Sequence, residues 1–149
     1  MTTDKSVTKD LMETLADGRD GYAQGATKLD QENAEIASMF RRFSSQRATF
    51  YTELEDMAKG YGDDVEESGS TLASLHRGWM SLKDALSGSS PKGVIDAAEQ
   101  GEDHAVEAYT KALGADISAG LRTVVQRQHT DVKAAHDEIR SLKHSFSDR

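Results

Sequence analysis

The sequence predicts an all-α fold: a bundle of four long helices with a shorter helix crossing between the second and the third. Three observations predict it. Apolar residues recur at steps of three and four along nearly the whole chain, which is the period of one buried helical face. The 149 residues include a single proline, so long helices run without an interior breaker. No stretch alternates apolar and polar residues at the two-residue period of a strand.

The first helix is expected over residues 6–29. Its stripe is Leu11, Leu15, Gly18, Tyr22, Gly25 or Ala26, and Leu29. Gly18, Gly21 and Gly25 each cost a helix interior roughly 1 kcal/mol relative to alanine. They either admit a neighbouring backbone or ring at close range, or break the helix near Gly18. The second helix is expected to start near Asp30 as N-cap. Its stripe is Ile36, Phe40, Phe43, Arg47, Phe50, Leu54, Met57 and Tyr61, with Arg47 alone out of character. It is expected to stop at the glycines of KGYGDD.

A polar link, DDVEESGS, precedes the crossover helix, whose stripe is Leu72, Leu75, Trp79, Leu82 and Leu86. Trp79 is expected to be buried against the bundle. Ser90 as N-cap and Pro91 at the first helical position open the third long helix. Its stripe is Ile95, Ala98, Glu102, Ala105, Tyr109 and Ala112, so a carboxylate stands where the pattern asks for an apolar residue. After a short turn, Asp116 is expected to cap the last helix. Its stripe is Leu121, Val125, Gln128, Val132, Ala135, Ile139, Leu142 and Phe146, again with one polar interruption. The short links near Asp30 and Ala115 make antiparallel hairpins of the first and last helix pairs. The whole chain, residues 1–149, reads as one domain.

Composition narrows the function classes. A net charge of −8 argues against a nucleic-acid partner, because phosphate recognition needs basic surface. The absence of cysteine removes disulfide, thiolate and zinc–sulfur chemistry. No segment approaches the ~20 apolar residues that span a bilayer, and the N-terminus lacks a signal-peptide core. A soluble, cytoplasmic protein without a membrane partner is the expectation. No nucleophile elbow and no glycine-rich phosphate loop with its lysine occur.

LHRGWMSLKDAL, QGEDHAVEAY and VKAAHDEIRSL, together with DGRDGY in the first helix and QRATFYTEL in the second, resemble segments of a bacterial four-helix-bundle family of unknown function. That family is placed among the ferritin-like proteins. The resemblance covers nearly the whole chain and implies a ferritin-like fold. It implies no activity.

A ferritin-like di-iron site takes a glutamate from each of two helices and a Glu-x-x-His from each of the other two. Here the residues three before the histidines are Ala73, Gly101, Gln126, Lys133 and Ser141, so the motif is absent. The middle of the second helix, FSSQRATF, holds neither acid nor histidine. What remains is a polar layer. Glu102 lies 13 residues before Ala115 and Gln128 13 after it, which in an antiparallel hairpin puts both roughly 20 Å from the turn. Arg47 also lies mid-helix. Glu102, Arg47 and Gln128 are therefore expected to meet inside the bundle, with Asp17 at the edge. An arginine that stays charged and grips a carboxylate is hostile to a second cation.

Two readings of function follow. The favoured one is a non-catalytic cytoplasmic bundle without a cofactor, acting through protein contacts, a homodimer by expectation, with a role in stress physiology by analogy of fold. In it the buried pair fixes helix register. The competing one is a degenerate metal-binding protein with oxidase or storage activity, holding iron or manganese through Glu102, His129, Asp17, Glu53 and His136. The enzyme question leans to no. His136, one position off the last stripe, is expected either to bond a carboxylate such as Glu53 or simply to flank the core. His76 is read as part of a packing anchor, and His144 as exposed.

Overall fold

The computed structural model describes residues 2–61 and 91–147. Four long helices carry the architecture: α1 (Thr2–Leu29), α2 (Ala34–Ala58), α3 (Pro91–Leu113) and α4 (Ala119–Ser147). A 3₁₀ turn, Lys59–Tyr61, closes α2. There is no strand among the described residues. None of the described helices is long and apolar enough to cross a membrane. The expected crossover helix, with Trp79 and His76, and the Ser90 cap lie outside the described residues.

α1 packs along α2 and α3 along α4, the two hairpins expected from the short links. α1 also packs on α3, while α2 touches α4 sparingly. Directions follow from the contacts. An added Cβ at Gly25, near the end of α1, would meet Phe40, near the start of α2, and Val94, near the start of α3. α1 is therefore antiparallel to both. α2 and α3 then run parallel across the diagonal, and Tyr61 and Pro91 lie at opposite ends of the bundle.

The stripes are the core. Tyr22, Ala26, Leu29, Ile36, Phe40, Phe43, Val94, Ile95, Ala98, Ala135 and Ile139 form one apolar cluster. Leu11, Leu15, Phe50, Leu54, Ala105, Tyr109, Leu121, Val125 and Val132 belong to a second. Along α1, α2 and α3 the two clusters are separated at Gly18, Arg47 and Glu102; along α4 the boundary falls between Val132 and Ala135, and Gln128 lies within the stretch of the second cluster. Burial of these two faces is the main stabilising term, at about 25 cal/mol per Å² of apolar surface.

α1 runs unbroken through its three glycines and begins at Thr2, not near Ser6. Two of the glycines serve close approach. A Cβ at Gly25 would stand 2.8 Å from two Phe40 ring carbons, and one at Gly18 would stand 3.2 Å from Arg47 Nη1. Around this stretch α1 departs from a single stripe, because every residue over 11–18 is buried. That includes Glu13, fully buried, along with Thr14 and Asp17.

The caps differ from expectation. Asn33, not Asp30, caps α2: its backbone is extended and its side chain accepts a hydrogen bond from Ile36 N. Asp30 instead takes Arg41 in an exposed ion pair. Ser118, not Asp116, caps α4, its Oγ accepting from Leu121 N at 3.4 Å. Ser118 N in turn donates to the buried Asp4 carboxylate at 2.9 Å, tying the start of α1 to the α3–α4 turn. Arg122 closes the end of α3 by donating to the carbonyls of Leu113 and Ala115. A cation at a helix C-terminus is also favoured by the helix dipole.

Candidate functional site

Between the two apolar clusters lies a charged layer. Arg47 of α2 donates from Nη1 to Glu102 Oε1 at 2.6 Å and from Nη2 to Oε2 at 2.8 Å. Its Nε donates to Gln46 Oε1 at 3.1 Å. The side chains are 1% and 0% exposed. The guanidinium also lies 5.5 Å from the centre of the Tyr22 ring, within cation–π range. Gly18 supplies the space beside it: any side chain on α1 there would press on Nη1. The helical period thus delivers both charges inward, and the missing Cβ on α1 makes room for the larger of them.

The electrostatics are one-sided. Burial works against the Arg47 charge, but the Glu102 carboxylate, through its charge and its hydrogen bonds, more than offsets this and raises the pKa. Burial first, and then the Glu102 charge, hold the Tyr22 phenol protonated well above its ordinary range. Burial likewise raises the Tyr109 phenol. Arg47 therefore keeps its charge, and the Tyr22 and Tyr109 phenols keep their protons, near neutral pH.

Gln128 does not join the pair. Its Oε1 accepts from Tyr109 Oη at 2.6 Å, and its Nε2 donates to Phe50 O at 3.4 Å and Glu53 Oε1 at 3.2 Å. Glu53 is further engaged by Arg127 in an α2–α4 ion pair. The physical reason is the register of the α3–α4 hairpin, which differs from the count made from Ala115. Tyr109 meets Gln128, Asp103 meets His136 and Glu99 meets Lys143. Gln128 therefore faces the Tyr109 turn of α3, and Glu102 lies about two helical turns further from the loop.

Asp17, expected at the edge, is 3% exposed. Burial, reinforced by the Asp20 charge, pushes its carboxyl up to about 7. His129 stacks on Tyr109 with ring centres 6.3 Å apart, and its Nε2 is buried without a hydrogen-bond partner among the described residues. His136 bonds Asp103 and Asp137, not Glu53. His144 is exposed. The competing ligand set is thus dispersed: Glu102 to Arg47, Glu53 to Arg127 and Gln128, His129 to Tyr109 and His136 to Asp103. Among the described residues no three His, Asp or Glu side chains converge as a metal site would require. An open groove of about 610 Å³, lined by Met39, Ala134, Asp137, Glu138, Ser141 and Leu142, contains none of the layer residues.

Three features go beyond what the stripes announce. Buried Glu13 lies off the α1 stripe, one helical turn from Asp17, so periodicity does not mark it. Tyr109 stands in a stripe, where its period implies core or boundary and hides its role as Gln128's donor. The Glu53–Arg127 pair joins helices far apart in sequence and leaves no local trace.

A family model described as a domain of unknown function (DUF2383) matches residues 6–115, which takes in most of α1 and all of α2 and α3. Among curated proteins nothing matches the chain.

Proposed function

The chain belongs to that family, the domain of unknown function DUF2383, and because the family assigns no activity, we propose from the geometry a non-catalytic helical-bundle protein that acts through contacts with other proteins. The observation that carries the proposal is the occupant of the bundle's centre. In a ferritin-like protein the metal ligands project into the bundle core from all four helices. Here that level holds a guanidinium gripped by the carboxylate best placed to bind a cation. A charged arginine repels a second cation and has no proton to give or take near neutral pH.

A ferritin-like classification is part of the proposal. It is supported by two antiparallel hairpins whose second and third helices run parallel, the order that one long crossover produces. In this reading Arg47 and Glu102 couple the hairpins across the diagonal and select one packing over its alternatives, a role known for some buried ionic groups. Cytoplasmic location, a homodimeric state and a role in stress physiology belong to the same proposal; the last rests on fold-level analogy.

The test sets this against a degenerate iron or manganese protein with oxidase or storage activity. Protein purified without chelator is exposed anaerobically to Fe(II), Mn(II) or Zn(II), desalted and analysed for bound metal, with sedimentation equilibrium on the same samples. The proposal expects less than one metal per chain, unchanged in Glu102→Ala, and a concentration-dependent dimer. One metal per chain in the wild type, lost in Glu102→Ala, overturns it.

A further inference from the structure

On the flank of the α3–α4 hairpin, His136 holds two carboxylates at once. Its Nε2 lies 2.5 Å from Asp103 Oδ1 on α3, and its Nδ1 lies 3.2 Å from Asp137 Oδ1 on its own helix. A neutral imidazole has one N–H and one lone pair, whereas an ionised carboxylate only accepts. In either neutral tautomer one of the two contacts would set a lone pair against a carboxylate oxygen. Only the imidazolium, with two N–H donors, satisfies both.

The surroundings make this contact adjustable. The His136 side chain is 13% exposed, while Asp103 and Asp137 are 62% and 65% exposed, so water reaches the carboxylates and protons exchange freely. By helical spacing, Glu99 and Glu107 stand one turn either side of Asp103 on α3, and Lys133 and Arg140 one turn either side of His136 on α4, with Lys143 and Asp96 beyond. Glu99 is taken by Lys143 at 2.8 Å. On the α2 side, Arg42 faces Glu138. Burial lowers the tendency of His136 to charge, but its bonds to Asp103 and Asp137 outweigh this and raise its pKa above the ordinary 6.5.

Position gives the contact a consequence. Asp103 directly follows Glu102, so a tie on Asp103 restrains the rotation of α3 that aims Glu102 at Arg47. We propose that His136 is a proton-operated clasp between α3 and α4, closed when the ring is charged and loosened when it is neutral. Below pH 6.5 the clasp is shut. As pH rises through the folded-state value of His136, one carboxylate contact is lost and the α3–α4 flank opens more often. This inference is independent of the proposed role of the bundle.

Two measurements on the full chain test it. NMR titration of His136 in the wild type should give a pKa above 6.5 that falls in Asp103→Asn. Amide hydrogen exchange of α3, corrected for the intrinsic pH dependence of exchange, should then accelerate in the wild type as pH rises through that value. The acceleration should match the factor by which the closed flank binds the proton more tightly than the open one, the same factor that the titration reads. In His136→Gln the corrected exchange should not vary over the same range. If that variant fails to fold, the Asp103→Asn titration still decides. A His136 pKa that Asp103→Asn leaves unmoved overturns the clasp, as does corrected wild-type exchange that is flat with pH or accelerates equally in His136→Gln.

Discussion

Arg47 and Glu102 face each other across the diagonal of the bundle, joined by hydrogen bonds of 2.6 and 2.8 Å and nearly sealed from water. Neither helix of this pair packs extensively on the other; the contacts that build the bundle run α1–α2, α3–α4 and α1–α3. The ion pair is thus a direct tie between hairpins that otherwise meet chiefly through α1 and α3. Its stabilising value is not the sum of its hydrogen bonds, since desolvating two charges costs several kcal/mol per ion. Removing one partner exposes that cost in full.

Tyr109→Phe should destabilise the protein by about 1–3 kcal/mol. The hydroxyl donates to the buried Gln128 Oε1, and its loss leaves that oxygen without its donor. Urea denaturation of the two proteins measures the difference. A change under a few tenths of a kcal/mol would show that water replaces the phenol.

Gly25→Ala should also destabilise, against the helix-propensity gain of roughly 1 kcal/mol that the same change brings at an open site. The new methyl would stand 2.8 Å from the Phe40 ring, which is itself held edge-on by Tyr22. Overpacking of this kind costs about 1–3 kcal/mol. Gly120→Ala, where nothing lies within 4 Å of an added Cβ, is the control and should be neutral or stabilising. Thermal melts that rank the two variants the other way would contradict the packing.

Asp17 makes a pH prediction. Its folded value of about 7 lies above its ordinary 3.8, so the folded chain holds the proton more tightly than the unfolded one. The stabilisation is therefore complete below about pH 4 and is lost as pH rises to about 7. Asp17→Asn should flatten the fall in stability across that window and raise stability at pH 8 relative to the wild type. Denaturation at a series of pH values tests it, and parallel curves for the two proteins would count against a raised carboxyl.

Much of this fold is legible in the sequence because the stripes are long and regular. Phe40, Phe43, Phe50 and Leu54 repeat at helical spacing, and all four are buried in the clusters their period implies. Arg47 and Glu102 are visible as breaks in two such stripes, since a charge at an inward position must meet a partner. Less legible are features set by a single torsion or by side-chain lean. Asn33 caps α2 through its extended backbone, and nothing in the residue type separates it from Asp30. Gln128 stands as many residues from Ala115 as Glu102 does, yet the register of the α3–α4 hairpin brings it to Tyr109. Glu13 lies off the stripe of α1, and periodicity assigns such a position to solvent.

The most direct test of the central claim, that Glu102 is there to satisfy Arg47, is the denaturation free energy of three variants with and without Fe(II). Glu102→Ala strands a buried guanidinium and should cost about 3–5 kcal/mol. Arg47→Met combined with Glu102→Leu should recover much of that loss, since well-packed apolar residues can replace such a pair at little cost. Arg47→Met alone strands the carboxylate and should fall nearer the first variant than the second. Fe(II) should shift none of them. A Glu102→Ala protein as stable as the wild type without metal, beside a wild type stabilised by Fe(II), would contradict the account.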